Sequence, residues 1–322
     1  MAASDPATPR GSAPESVPRR GVSPGSGAPA AAHAHGAPDS SARRVDLGDC
    51  VITVLRAGSL RLDGGAMFGI IPKALWSRRT PADGENRISL ACNSVLVEWP
   101  RSGRRALVET GHGDKYNEKD VRIFAIDPRR WLADALRAAD VGPESIEDVI
   151  LTHLHFDHAG GLTRREADRV VPTLPRAAVH VQRREFDDAR ANFGIMTNTY
   201  REENFLPLDA SGAWRLHEGA KAACEGVTLR PTPGHTRGHQ SVVIAGANRT
   251  AVFVGDVMPT RQHVGRPYNM GYDLLPLDNA ETKRRLLSEA AERDWLLILD
   301  HEPESPLVRV VRDGAWFALE PV

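Results

Sequence analysis

Short runs of β-branched and aliphatic residues recur along the chain, each bounded by Gly, Pro, Asp or Asn. They are Cys50–Leu55, Ser89–Glu98, Ala106–Glu109, Asp148–Thr152, Ala178–Val181, Val227–Arg230, Ser241–Ala245, Ala251–Val254, Leu296–Asp300, Leu307–Arg312 and Trp316–Leu319. Such runs predict strands. Helical spacing appears in three places. In Pro128–Ala139, the residues Trp131, Leu132, Ala135, Leu136 and Ala139 repeat on one face. Asp127 is placed to cap that helix, Pro128 suits its first position, and Gly142-Pro143 ends it. Arg183–Ala191 is a second helix. Asn279–Arg293 is the longest, with Leu286, Leu287 and Ala290 facing inward. Residues 66–87 mix large apolar side chains with Pro72, Pro81 and Gly84 and predict an irregular lobe. No repeat of fixed period is present. Strand-rich stretches separated by helices, in two similar halves, predict an α/β (α+β) fold of two packed sheets with helices outside.

The first 44 residues break this pattern. They hold 11 Ala, 7 Pro, 5 Gly and 7 Ser, and no Leu, Ile, Phe, Tyr or Trp. Too little apolar surface is available to offset the entropy of ordering them. Residues 1–44 are therefore expected to be a disordered tail, and 45–322 a single domain. Arg19-Arg20 lacks the apolar run that an export signal needs. His33 and His35 have nothing nearby to complete a metal site.

Composition removes several classes of function. The net charge of −1 argues against a dedicated nucleic-acid binder. No apolar run approaches the ~20 residues that span a bilayer. The three cysteines, Cys50, Cys92 and Cys224, are widely spaced and form no CxxC. That excludes a disulfide scaffold and suits a reducing compartment, so the expected location is cytoplasmic. Cys224 is expected to be structural.

The chemistry concentrates in Thr152-His153-Leu154-His155-Phe156-Asp157-His158-Ala159-Gly160-Gly161. On extended chain, residues two apart point the same way, so His153 and His155 can grip one cation from a strand end. Asp157 and His158 follow where the chain turns and can face a second. Gly160 and Gly161 permit the bend. Three further residues sit where strands hand over to loops: His235 in Thr232-Pro-Gly-His, Asp256 in Phe253-Val-Gly-Asp, and His301 in Leu299-Asp-His-Glu. Imidazole suits zinc and iron, and carboxylate widens the choice to manganese. His112, His180, His217 and His263 stand outside this set and are expected to be ordinary packed histidines.

HxHxDH, then GH, then GD, then a late DH is the ligand order of the metallo-β-lactamase superfamily, which this chain resembles over residues 50–320. The resemblance implies an αββα sandwich of two mixed β-sheets flanked by helices. It implies two divalent ions, zinc first, with manganese or iron open. His153, His155 and His235 would hold one, Asp157, His158 and His301 the other, with Asp256 as the bridge. Gly64-Gly-Ala-Met-Phe-Gly69, Pro72-Lys-Ala-Leu-Trp76, Gly255-Asp-Val-Met-Pro-Thr260 and Met270-Gly-Tyr-Asp-Leu-Leu-Pro276 look like the YtnP-like branch of quorum-quenching lactonases. Better-known acyl-homoserine lactonases carry a tyrosine three residues after the bridging aspartate. Here Pro259 stands there, with Tyr268 and Tyr272 as replacements to consider.

The expected reaction is lactone or ester hydrolysis, and the resemblance implies N-acyl-homoserine lactones as the first substrate. Two ions sharing a hydroxide supply a nucleophile at neutral pH. Asp256 would orient it, and Asp157 would relay a proton to the leaving oxygen. His239 and Asp300 are left for supporting or packing roles. Met67, Phe68, Ile70 and Trp76, with Phe193, Met196, Tyr200 and Phe205, are candidates to wall an acyl chain, although local core explains each alone. The expected partner is a small-molecule ester or lactone, without nucleic acid or membrane, and a homodimer stays open. Two alternatives remain. One is another hydrolase on the same frame: a glyoxalase-II-like thioesterase, or an aryl or organophosphate esterase. A glutathione thioesterase would want a basic cluster, and Lys283, Arg284 and Arg285 read equally well as a solvated helix face. The other is a ligand-binding sensor with little catalysis.

Overall fold

The structure is a computed structural model and describes residues 43–192 and 198–322. The runs read as strands form two seven-stranded sheets. The first contains β1 (Arg43–Asp46), β2 (Val51–Asp63), β3 (Arg87–Trp99), β4 (Arg104–Val108) and β5 (Asp148–Ile150). After a separate hairpin, β6 (Thr163–Glu166) with β7 (Arg169–Pro172), the same sheet continues with β8 (Ala178–Gln182) and β9 (Trp214–His217). The second contains β10 (Lys221–Cys224), β11 (Val227–Pro231), β12 (Gln240–Ala245), β13 (Thr250–Phe253), β14 (Leu296–Ile298), β15 (Leu307–Asp313) and β16 (Trp316–Pro321). Both sheets are mixed. β4, β5, β8 and β9 run parallel, as do β13 and β14, and the remaining neighbours are antiparallel.

Alternation along the strands builds the layers. Val95, Val97, Ala106 and Val108 from the first sheet meet Val242, Ile244, Ala251, Phe253, Leu296 and Ile298 from the second in one buried cluster. The intervening residues point outward. Leu96 and Leu107 pack under α4 (Leu132–Ala138) and α6 (Arg183–Ala191). Val252 and Leu297 pack under α7 (Pro276–Arg293) through Leu286, Leu287 and Ala290. Each such aliphatic side chain contributes about 1.5–3 kcal/mol on full burial. The result is the predicted order of helix, sheet, sheet, helix.

The lobe is less irregular than its prolines suggest. It holds α1 (Gly64–Phe68) and α2 (Lys73–Trp76), while α3 (Glu118–Phe124) and α5 (Phe156–Ala159) lie further along the chain. Asp63 caps α1 by accepting from Ala66 N at 2.8 Å. Phe68 stacks between Trp76 (5.2 Å) and His263 (5.0 Å).

Several expectations need correction. β1 starts at Arg43, which pairs with Val54, so the ordered chain begins before residue 45. The remaining tail, with Arg19, Arg20, His33 and His35, lies outside the described residues, as do Phe193 and Met196. α4 starts at Leu132, because Asp127 closes a turn with Arg130 N (3.0 Å) instead of capping a helix. α7 starts at Pro276, which suits its first turn. Lys283 is not on a solvated face: it is fully buried in α7, and its Nζ donates to the carbonyls of His263, Gly265 and Tyr268 at 2.7–3.1 Å. Those bonds fix the loop that follows Asp256. α3, β1, β6, β7, β9 and β10 went unread, being short and polar.

Candidate metal centre

The chemistry gathers beyond the C-terminal ends of the parallel strands. β5 hands over to His153–His158, β13 to Asp256 and β14 to His301. The loop between β11 and β12 brings His235. Cross-links between the sheets hold these ends in register. Gln240 N donates to Thr152 O (3.0 Å), and Ala91 N on β3 donates to His301 O (3.2 Å). Asn93 Nδ2 donates to Leu299 O and Glu302 O, both at 2.9 Å.

Two groups of ligand-type atoms result. His153, His155 and His235 form one; His158, Asp256, Asp300 and His301 form the other. All seven are buried. Asp256 stands between the groups. Its Oδ2 lies 3.2 Å from His235 Nε2, 3.7 Å from His158 Nε2 and 3.9 Å from His153 Nε2. Its Oδ1 lies 3.3 Å from His301 Nε2. His155 Nδ1 and His235 Nε2 are 3.0 Å apart.

Asp300 reaches His301 Nε2 at 3.8 Å but meets His158 from another side. Its Oδ2 is 2.8 Å from His158 Nδ1, the nitrogen that faces away from Asp256. Asp157, expected in this group, lies on the near side: Oδ1 is 3.8 Å from His158 Nε2 and Oδ2 is 3.6 Å from His301 Nε2.

Four of the imidazoles, all but His155, are aimed from behind. His235 Nδ1 donates to Asp273 Oδ1 (3.0 Å), and His301 Nδ1 to Ala91 O (2.6 Å). His158 Nδ1 lies 2.9 Å from Glu109 Oε2, whose other oxygen accepts from Thr152 N at 2.5 Å. Glu109 does this from a left-handed backbone, φ +64°. His153 Nδ1 meets Thr152 Oγ1 at 2.9 Å. His239 supports Asp256 rather than joining it. Asp256 N donates to His239 Nε2 (3.1 Å), leaving the ring proton on Nδ1 for Thr232 O (3.1 Å). Burial pushes His239 down to about 3, which keeps it a neutral acceptor.

Electrostatics set His153 and His155 apart from the other imidazoles of the two groups, including His235, which Asp256 and Asp273 raise against its burial. Burial, then the neighbouring imidazoles, hold His153 and His155 well below the usual histidine range. Burial would depress His301 too, but Asp300 and Asp256 outweigh it and push it up to about 10. His158 is raised in the same way by Asp300, Asp256, Asp157 and Glu109. Asp256 is held far below the carboxylate range: His235, His301 and His158 overcome its burial.

These residues fit divalent cations. His153 Nε2, His158 Nε2 and Asp256 Oδ1 are buried with no hydrogen-bond partner among the described residues. Stranding such atoms costs about 1–3 kcal/mol each. Converging lone pairs backed by hydrogen-bonded Nδ1 atoms are what a cation repays.

Other expectations resolve as packing. His112, His180 and His263 are buried and hydrogen-bonded, and His217 pairs with His180 at 2.9 Å. Cys224 is half-buried against the inter-sheet core. Met67, Phe68 and Trp76 are core of the lobe, and Phe205 is core of the first sheet's outer layer. Ile70 is 85% exposed. Three supporting carboxylates went unread: Glu109, Glu185 and Asp273. Glu109 ends a strand and Glu185 sits on a polar helix, so neither carries a local signal. Asp273 lies in Met270–Pro276, which the resemblance had already marked.

The metallo-beta-lactamase superfamily profile matches residues 88–301, and the chain belongs to that superfamily. It is a metallo-hydrolase. A probable metallo-hydrolase of Mycobacterium tuberculosis is 28% identical over 267 residues, covering 71% of this chain and 79% of that one. The N-acyl homoserine lactonase AttM of Agrobacterium fabrum is 25% identical over 194 residues, covering 58% and 69%. A crystal structure of a probable metal-dependent hydrolase from Staphylococcus aureus superposes with TM-score 0.78 at 28% identity, covering 86% of this chain and 99% of that one. AidC, a dizinc quorum-quenching lactonase with a homoserine product bound, shares the fold at TM-score 0.71 and 17% identity, covering 87% and 97%. Among the described residues no helix is long and apolar enough to cross a membrane.

Proposed function

We propose that this metallo-hydrolase opens the lactone ring of an N-acyl-homoserine lactone at a dinuclear centre. The observation that carries the reading is Asp256, whose two oxygens face His235 on one side and His301 on the other. His153, His155 and His235 would hold the first ion. Asp157, His158 and His301 would hold the second, because Asp157 faces the near nitrogen of His158 and Asp300 only the far one. Bound there, two divalent cations supply an acidified water and polarise the ester carbonyl. Zinc suits the three imidazoles best.

The chain's own groups complete the site. Asp157 would carry a proton to the leaving alkoxide. Tyr272 is the better of the two tyrosines for the substrate side. It adjoins Asp273, which holds His235. The side chain is 40% exposed, yet partial burial, with Asp63 and Asp157, pushes its phenol up to about 12. Tyr268 instead packs edge-on against Phe68 at 6.1 Å. The named lactonase relatives support the substrate class.

A glutathione thioesterase is less well supported. Lys283 is buried on loop carbonyls, and Arg284 and Arg285 both pair with Glu281.

The test is base uptake in a pH-stat with zinc-loaded protein on lactones, thioesters and phosphotriesters. Turnover of acyl-homoserine lactones above the rest is expected. Uptake with thioesters or phosphotriesters alone would replace the reading, and silence with both ions bound would favour a sensor.

A further inference from the structure

Helix α6 sits behind the first histidine group, and one of its residues touches both loops that carry those histidines. Glu185 is fully buried. Its Oε1 accepts from Leu154 N at 3.0 Å, the peptide between His153 and His155. The same oxygen accepts from Tyr200 Oη at 2.9 Å. Its Oε2 accepts from Thr236 Oγ1 at 2.6 Å, the residue after His235. Both oxygens are thus occupied, and Glu185 is not itself a ligand. The Tyr200 ring in turn lies 4.9 Å from that of His155.

The second loop is pressed hard onto α6 at Glu185. A Cβ on Gly238 would fall 2.2 Å from Glu185 N, so only glycine allows the approach. Arg237 adds a bidentate pair with Asp188, one turn further along α6, at 2.7 and 2.9 Å. Asp188 anchors the His235 loop alone; Glu185 also reaches the HxH segment.

We infer that Glu185 is a positioning residue that sets the spacing of His153, His155 and His235, so that its loss weakens the first ion selectively. The inference rests on the dinuclear reading above but not on its substrate. The second group is held by other residues, Glu109, Asp300 and Ala91 O.

The experiment isolates each pocket in the full chain. His301→Ala leaves the first pocket to bind, and His153→Ala leaves the second. Glu185→Ala and Glu185→Gln are placed in each background. Zinc affinity is read by competition with a chromophoric chelator, and the bound geometry by the visible spectrum of cobalt(II). In the His301→Ala background, Glu185→Ala should weaken zinc by about 10–100-fold and alter the cobalt spectrum. In the His153→Ala background it should change affinity by less than about threefold, well below that range. Glu185→Gln should restore the first pocket. Its oxygen can accept from Leu154 N and Tyr200, and its amide can donate to Thr236 Oγ1. If Glu185→Ala does not fold, Thr236→Val removes one bond at constant shape and should weaken only the first pocket. Equal loss in both backgrounds, or none in the first, overturns the inference. A wild-type chain that takes up no ion overturns the dinuclear reading as well. Failure on lactones with ion affinities as expected overturns the substrate alone.

Discussion

In the first pocket, Thr152 meets His153 and a single carboxylate, Asp273, meets His235, while Glu185 holds the Leu154 peptide and the Thr236 hydroxyl. In the second, carboxylates crowd the imidazoles directly. Glu109 and Asp300 both meet His158 Nδ1, and Asp157 and Asp256 face His301. The electrostatic outcome differs: His153 and His155 resist protonation, whereas His158 and His301 invite it, and His235 joins them because Asp256 and Asp273 outweigh its burial. The HxH pair therefore depends on shape, and the imidazoles faced by carboxylates, His235 included, on charge. Without a cation, the second gathers protons in its place.

Asp256 belongs to both pockets, so removing it breaks the comparison most severely. Asp256→Ala should release both ions and lower turnover by on the order of 10³-fold or more. Elemental analysis beside an ester assay checks this; an ion-free variant that keeps its activity would contradict the scheme.

Stripping the ions should lower the melting temperature by about 10 °C. The pH dependence of that gap probes the second pocket. His301 has a folded value of about 10 against an ordinary 6.5. A raised value contributes stability that is full below 6.5 and lost as pH rises through about 10. The ion-free form loses that contribution over this window and the loaded form does not, so the gap should widen from pH 6.5 to 10. Buried lysines affect both forms alike and cancel. Calorimetry of both forms measures it, and a gap that narrows would refute the charge-based account.

Asp273→Asn and Glu109→Gln sharpen the contrast more gently. Each should weaken one ion by about 10–100-fold, the first pocket for Asp273 and the second for Glu109. Stepwise chelator titration separates the two. The smallest effect on the centre is expected from Lys283→Met, which strands the carbonyls of His263, Gly265 and Tyr268. It should cost about 3 kcal/mol in urea unfolding while both ions stay bound.

The sequence made the two-sheet layering legible because period-2 alternation and strand-end turns are local. Val95–Val97 and Leu296–Ile298 read as strands without knowledge of their neighbours. His153 to His158 were legible for the same reason, as consecutive residues on one strand end. What stayed hidden depends on distant chain. Glu109 meets His158 across 49 positions, and Glu185 meets Thr236 across 51. Asp157 and Asp300 differ only in which nitrogen of His158 they face, and no spacing reveals that. Lys283 sits among charged neighbours on α7, and only the loop folded over it makes it a buried anchor.

Pro259 contributes through its backbone. Its carbonyl accepts from His301 N at 2.9 Å, and that bond belongs to the main chain. A change of side chain at this buried position leaves the bond to His301 in the main chain. The strand-end ligand is thus tied to the loop after Asp256 by backbone alone, a tether that sequence drift in the surrounding side chains leaves intact.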